Sequence, residues 1–149
     1  MDTLDKTTEQ TGSVIALACN VDDMTGEEMG FALERLLEGG ALDAWLTPIV
    51  MKKSRLGTKI EVLCKAEHRA AVVALLFKHT TTLGVRECEM KRYELIRRED
   101  VVSSEIGTAR VKESAGYGIT RRKIEFDDAA QIAREQGISL AEARKRLEK

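Results

Sequence analysis

Three short segments of the sequence contain residue types that suit the binding of a metal ion and phosphate groups. In chain order they are Asp22 and Asp23, then Lys52, Lys53 and Arg55, and finally Thr80, Thr81, Thr82 and Arg86. Hard divalent cations such as Mg²⁺ and Mn²⁺ prefer carboxylate oxygens and complete their shell with phosphate oxygens and water. Lysine and arginine neutralise the remaining phosphate charge, and hydroxyl groups donate to phosphate oxygens. The three segments together therefore predict a metal-nucleotide site.

Each segment also has a structural interpretation when it is taken alone. Acidic residues are common at the start of a helix, and for the pair Asp22-Asp23 that is the more frequent explanation. A basic turn at a sheet edge discourages aggregation, and β-branched threonines often lead from a helix into a strand. The binding hypothesis therefore requires that the three segments meet in space.

The predicted order of secondary structure brings them together. Thr25 and Glu28 form a capping-box pattern that starts a helix, and Gly39 ends it. The predicted strands cover 14–19, 41–51, 58–64 and 85–90, and a second helix covers 67–79. This βαββαβ order is the ferredoxin-like pattern. In it, the first two strands and the second helix all end at one edge of the sheet, where the acidic pair, the basic turn and the threonines would converge.

The remaining residues predict additions to this core. They are a β-hairpin over 92–98 and 106–113, a short strand over 120–125, and two C-terminal helices capped by Asp127 and Ser139. The predicted fold class is α+β, a ferredoxin-like βαββαβ core with an added β-hairpin and strand and a C-terminal helical pair. We expect residues 1–13 to be a disordered leader or linker remnant, 14–91 to be the nucleotide-binding core, and 92–149 to pack on that core as one domain.

Composition excludes several classes of protein. The 149 residues include 43% hydrophobic side chains, which suffices for an aliphatic core. The 24 basic and 25 acidic residues nearly cancel, which argues against a nucleic-acid partner. No apolar run approaches the roughly 20 residues of a membrane span. The 3 cysteines are scattered and are expected to be buried thiols, which favours a reducing, cytoplasmic location.

Four motifs resemble the LarC-type nickel-insertion proteins. They are Asn20-Val-Asp-Asp-Met24, Met51-Lys-Lys-Ser-Arg-Leu-Gly57, Thr80-Thr-Thr-Leu-Gly-Val-Arg86, and Ile124-Glu-Phe-Asp-Asp128 with the later Gly137-Ile-Ser-Leu140. The resemblance runs from about Val14 to the C-terminus, and the motifs fall in the order of the family. Leu56 and Ile124 stand where the family often has proline, and neither is a predicted ligand.

This resemblance implies a role in making the nickel-pincer nucleotide cofactor of lactate racemase. Family members insert nickel into pyridinium-3,5-bisthiocarboxylic acid mononucleotide, and the process depends on CTP, which is hydrolysed to CMP and pyrophosphate with Mg²⁺ or Mn²⁺ present. The C-terminal portion of these proteins is associated with CTP binding, and a further N-terminal domain precedes it. The expected partners are thus CTP, the mononucleotide, that N-terminal domain and, in a homo-oligomer, other copies of the chain.

The predicted convergence and the resemblance together lead to a hypothesis for the roles of the candidate residues. Asp22 and Asp23 hold Mg²⁺ or Mn²⁺ against the triphosphate, while nickel is the metal that is inserted. The phosphate-binding residues are Lys52, Lys53, Arg55 and Arg86, with Thr80, Thr81 and Thr82 positioning the phosphates. Two other functions stay open: a non-catalytic regulatory module that binds a nucleotide without turnover, and an oligomerisation domain that binds none.

Overall fold

The computed structural model describes residues 10–148, within which the chain forms seven β-strands and four α-helices. The strands are β1 (Gln10–Val21), β2 (Ala41–Met51), β3 (Arg55–Cys64), β4 (Arg86–Glu94), β5 (Ile96–Ser104), β6 (Gly107–Gly116) and β7 (Ile119–Ile124). The helices are α1 (Gly26–Glu38), α2 (Arg69–His79), α3 (Phe126–Gln136) and α4 (Leu140–Leu147). The chain divides into two compact units, Gly12–Arg92 and one that begins at Tyr93.

The first unit confirms the ferredoxin-like prediction. Its sheet has the strand order β2-β3-β1-β4, and β3 pairs antiparallel with both β1 and β2. Because side chains alternate along a strand, Leu17 and Cys19 on β1 face the same side as Ile60 and Val62 on β3. All four are buried with residues of α1 and α2, including Leu36. The helices therefore cover this face of the sheet.

The start of β1 differs from the prediction. The strand begins at Gln10 rather than at Val14, since pairing depends on backbone groups and does not require apolar side chains. The predicted leader over 1–13 otherwise lies outside the described residues. In contrast, β2 covers the predicted span, and Pro48 lies on this edge strand, where a missing N–H is tolerated.

The second unit contains an antiparallel sheet in the order β5-β6-β7. One face of this sheet buries Val111 and Ile124 against Ala129, Ile132 and other residues of α3 and α4. The hairpin was predicted, but its first strand occupies Ile96–Ser104 rather than 92–98. The residues that follow Arg97 are polar, so the sequence pattern does not indicate that the strand continues beyond them. Whether this unit packs on the first as one domain stays a prediction.

The caps of the C-terminal helices agree with the prediction at one helix and differ at the other. Ser139 accepts a hydrogen bond from the backbone N–H of Glu142 (3.1 Å) and caps α4 as expected. Helix α3 instead has Glu125 at its N-cap position, with no side-chain capping bond, and Asp127 lies inside the first turn.

Two further findings concern the exposure of the cysteines and the length of the helices. Cys19 and Cys64 are buried, but Cys88 is exposed on β4, contrary to the expectation for all three thiols. Within the described part of the chain, no helix combines the length and the apolar character that crossing a membrane requires.

Candidate functional site

The acidic pair follows β1 directly and does not cap α1. The side chain of Thr25 accepts a hydrogen bond from the N–H of Glu28 (3.2 Å), and the Glu28 carboxylate accepts one from the N–H of Thr25 (2.8 Å). This complete capping box satisfies the start of the helix without the aspartates. Asp22 and Asp23 instead contact residues far away in the sequence, and neither supplies the side-chain cap of α1.

Asp22 contacts the turn between β2 and β3. Nη1 of Arg55 lies 3.2 Å from Oδ2 of Asp22. The turn begins with Lys52, and the next two residues, Lys53 and Ser54, have φ values of 61° and 57°. Left-handed backbone is uncommon for residues other than glycine and is unfavourable. The turn is therefore held in a specific, strained conformation that presents Lys52, Lys53 and Arg55 beside the carboxylate.

Asp23 contacts the segment that follows α2. The hydroxyl of Thr81 donates to Oδ1 of Asp23. The neighbouring Thr82 hydroxyl donates to the carbonyl of Gly84 (2.7 Å), which shapes the loop leading to β4. Thr80 has a different position: its hydroxyl donates to the carbonyl of Leu76 (2.6 Å) and thereby closes the last turn of α2.

Arg86, the first residue of β4, points toward β1. Its Nη2 atom donates to Oδ1 of Asn20 at 2.9 Å. Asn20 was not among the predicted site residues. Its signal in the sequence is its position two residues before Asp22, since alternate residues of a strand share a face. Val21, between them, is buried in the core, which directs Asn20 and Asp22 to the other side.

These contacts create two adjoining clefts in the first unit. The larger, of about 360 Å³, is lined by Asn20, Asp22, Asp23, Thr81, Thr82 and Arg86 together with Val21, Leu83 and Gly84. The smaller, of about 60 Å³, is lined by Asp22, Met51, Lys52, Lys53 and Arg55. Asp22 borders both clefts. Eight of the nine predicted site residues thus line one or the other, and Thr80 lines neither.

The charges of the site suit a metal ion bound to phosphates. Each aspartate has one oxygen engaged, and no described residue bonds the other oxygen, Oδ1 of Asp22 or Oδ2 of Asp23. Lys52 and Lys53 likewise have no ion pair with a described residue. Two open carboxylate oxygens fit Mg²⁺ or Mn²⁺, which take one or two protein carboxylates and obtain the rest of their shell from phosphates and water. No group of three His, Cys, Asp or Glu side chains suited to a metal ion is present among residues 10–148.

Cys19 lies close to Thr82 and Arg86 of this site, but its side chain packs in the core. Burial raises the pKa of its thiol above the ordinary value, although Thr82, Arg86 and Thr80 act in the opposite direction. The thiol is therefore protonated near neutral pH when no metal is bound. Cys19 serves the core, where it is fully buried.

Comparison with known proteins gives a consistent family. The model of the family described as "nickel insertion protein" matches residues 3–144. A putative nickel insertion protein of Maridesulfovibrio salexigens is 41% identical over 127 residues, which cover 85% of this chain and 30% of that protein. The pyridinium-3,5-bisthiocarboxylic acid mononucleotide nickel insertion protein of Acetivibrio thermocellus is 40% identical over 86% of this chain and 31% of its own length. The chain thus spans about a third of these relatives.

Two solved structures resemble the fold. One is described as LarC2, the C-terminal domain of a cyclometallase involved in the synthesis of the NPN cofactor of lactate racemase, in its apo form. It has a TM-score of 0.81 and 32% identity, with 92% of this chain and 95% of that chain covered. The other is protein MK0293 from Methanopyrus kandleri, with a TM-score of 0.70, 24% identity, and 93% and 88% coverage; this likeness concerns the fold alone.

Proposed function

The chain belongs to the family of nickel insertion proteins, and on this premise we propose that it binds CTP with Mg²⁺ or Mn²⁺ at Asp22 and Asp23. The observation that supports this proposal is the convergence, at one end of the sheet, of two carboxylates with Lys52 and Lys53; each carboxylate has one oxygen, and each lysine its ammonium group, without a partner among the described residues. The choice of CTP among nucleotides rests on the resemblance of the four motifs to LarC-type proteins.

The proposed roles follow from the contacts. The open oxygens of Asp22 and Asp23 would hold the divalent ion, which would supply charge neutralisation for the bound phosphates. Lys52, Lys53 and Arg55 bind phosphate oxygens from the side of the smaller cleft. Arg86 does so from the larger cleft. The hydroxyl of Thr81 donates to Asp23 and would fix the orientation of that carboxylate for binding the ion.

The reaction proposed for the whole enzyme is nickel insertion into pyridinium-3,5-bisthiocarboxylic acid mononucleotide, coupled to CTP hydrolysis. Water adds its oxygen to the α-phosphorus, the bond from that phosphorus to the bridging oxygen breaks, and CMP and pyrophosphate leave with the two protons of water distributed between products and solvent. The cations of the site would stabilise the negative charge that moves to the bridging oxygen. Nickel is a substrate in this scheme and is not assigned to the acidic pair.

Because the chain spans about 30% of its relatives, further components belong to the proposal. The N-terminal domain of the same protein would join this portion to complete nickel insertion, and copies of the chain would form a homo-oligomer in the cytoplasm. A regulatory module would bind a nucleotide without turnover, and an assembly domain would bind none. The contacts of Asp22 and Asp23 favour a metal-nucleotide site over the assembly function.

Calorimetric titration of Mn²⁺ with CTP tests the proposal. We expect binding that requires the metal, and a thermal-shift screen should rank CTP above ATP, GTP and UTP. Asp22→Asn and Asp23→Asn should each weaken binding by at least about 100-fold, equivalent to about 2.7 kcal/mol. Glu34→Gln, an exposed acid-to-amide change on α1, is the matched control and should leave affinity unchanged. Metal-dependent binding that survives both aspartate substitutions would contradict the assignment.

A further inference from the structure

The second unit contains a sheet face that the proposed function does not use. One face of β5-β6-β7 is buried against α3 and α4. The alternation of side chains places a different set on the other face. By register these are Arg97 and Glu99 on β5, Ser114 and Lys112 on β6, and Arg121 and Lys123 on β7. They line a groove of about 850 Å³, here called the basic groove.

Two neighbouring rows across this sheet differ at their centre. In one row, Glu113 lies between Arg98 and Arg122, with distances of 2.9 Å and 3.7 Å from its carboxylate oxygens to the two guanidinium groups. In the next row, Ser114 lies between Arg97 and Arg121. The second row, whose side chains point to the opposite face of the sheet, also has two flanking arginines but has a hydroxyl where the first row has an anion.

Acidic side chains among the described residues, Glu99 and Glu125, balance only part of the positive charge of the basic groove. Lys112 pairs with Glu125, at 2.6 Å. No described residue forms a hydrogen bond or an ion pair with Arg97, Arg121 or Lys123. Lys112 is the cross-strand partner of Lys123 on one side and of Glu99 on the other, so Glu125 and Glu99 offset the charge of Lys112. An anionic ligand in the groove would pair with Arg97, Arg121 and Lys123 without breaking a contact to a described residue.

Protection of sheet edges does not explain the arrangement. Charged residues on an outer strand suffice to prevent edge-to-edge pairing. Here cations lie on both outer strands, at Arg97 on β5 and at Arg121 and Lys123 on β7, and Lys112 adds a cation on the central strand β6. The side chains of Arg97 and Arg121 start two strand spacings apart, about 10 Å, which two long side chains can bridge around a single phosphate.

We propose that the basic groove binds a mononucleotide whose ring bears an anionic substituent of the carboxylate type. The phosphate lies between Arg97 and Arg121 over the hydroxyl of Ser114, and Lys123 contacts the ring substituent. The volume of the groove falls in the range of small-molecule sites. This inference rests on the proposed function, since a relative is described as acting on a mononucleotide with two thiocarboxylic acid groups. It adds a second site, independent of the divalent metal.

Titration of the full chain with nicotinic acid mononucleotide, a pyridinium carboxylate with one phosphate, tests this site. Binding should occur in the presence of EDTA and should be weaker for nicotinamide mononucleotide, which has a neutral amide in place of the carboxylate. Arg97→Gln and Arg121→Gln should each weaken binding by about tenfold or more. Lys123→Gln should abolish the preference for the carboxylate. Arg134→Gln, an exposed arginine on α3 outside the groove, is the control.

Three outcomes would overturn the inference. The first is absence of mononucleotide binding, or binding that the Arg97 and Arg121 variants do not change. The second is loss of Mn²⁺-CTP binding in Arg121→Gln, which would place the triphosphate in the basic groove. The third is tight, strongly salt-dependent binding of single-stranded RNA without mononucleotide binding. If wild-type chain fails to bind Mn²⁺-CTP, the proposed function fails, while the mononucleotide titration still decides for or against the groove. Because the substituted side chains are exposed, circular dichroism should show unchanged folding.

Discussion

Replacing Arg55 by glutamine should change the affinities for free metal and for metal-bound nucleotide in opposite directions. In the free protein Arg55 pairs with Asp22 at 3.2 Å, so it competes with a cation for that carboxylate. In the proposed complex the same guanidinium binds phosphate. The substitution therefore removes a competitor of the metal and a partner of the nucleotide at once.

The two magnitudes follow from exposure and charge. The Arg55 side chain is 62% exposed, and exposed ion pairs contribute about 0.2–1 kcal/mol. Arg55→Gln should therefore bind Mn²⁺ alone about 1.4- to 5-fold more tightly. A hydrogen bond to a charged group contributes about 1.5–3 kcal/mol, so the affinity for CTP at saturating Mn²⁺ should fall roughly 10- to 150-fold.

Electron paramagnetic resonance of free Mn²⁺ measures the first affinity, and calorimetry with CTP measures the second. Arg69→Gln is the matched control, since Arg69 forms a comparable exposed ion pair with Glu87 (2.8 Å) in the same unit. It should change neither affinity. Tighter binding of both ligands, or weaker binding of both, would refute the shared role of Arg55.

Three further predictions concern stability. Asp128→Asn should lower the thermal midpoint at pH 7, because the hydrogen bonds from Arg110 hold the pKa of Asp128 at about 2. A carboxylate whose pKa is lower in the folded than in the unfolded state stabilises the fold at pH values above the unfolded-state pKa. The difference in midpoint from wild type should therefore disappear as the pH falls from about 4 to about 2. Thr25→Ala should lower the free energy of unfolding by about 1 kcal/mol in urea denaturation and leave Mn²⁺-CTP affinity unchanged; weaker binding would contradict the separation of helix cap and site. Gly57→Ala should lower the free energy of unfolding by about 1–3 kcal/mol, because its new Cβ would lie 2.7 Å from the carbonyl oxygen of Val21. An unchanged urea midpoint would contradict this prediction and show that the β2–β3 hairpin accommodates the methyl group without loss of stability.

The ferredoxin-like core could be predicted because its local signals agree with one another. Alternation over 58–64 predicted the buried face of β3, and Ile60, Val62 and Cys64 are all fully buried. The pattern Thr25 to Glu28 predicted a capping box that is present. These signals use neighbours within a few residues, so no long-range information is needed.

The exact contacts of the site could not be predicted in the same way. The topology indicated that Asp22 and the basic turn share an edge, but not that Asp22 pairs with Arg55. The start of α3 was misplaced for a similar reason: Asp127 had the sequence position of a cap, while Asp128 contacts both the backbone N–H and the guanidinium of Arg110. Which contact such a side chain makes depends on which residues, distant in the sequence, lie next to it in the folded protein.

The pairing of charges distinguishes cations that stabilise the fold from those that are available to a ligand. The sequence has 24 basic and 25 acidic residues, so its net charge suggests no anionic partner. In the structure, acidic and basic side chains are distributed unevenly, so some cations have acidic partners and others do not. Arg98 and Arg122 flank Glu113 and neutralise it, whereas Lys52 and Lys53 have no acidic partner among the described residues. A bound anion gains most where cations are close together and unpaired, because no protein contact must first be broken. Near-neutral composition is therefore compatible with sites that bind highly charged nucleotides.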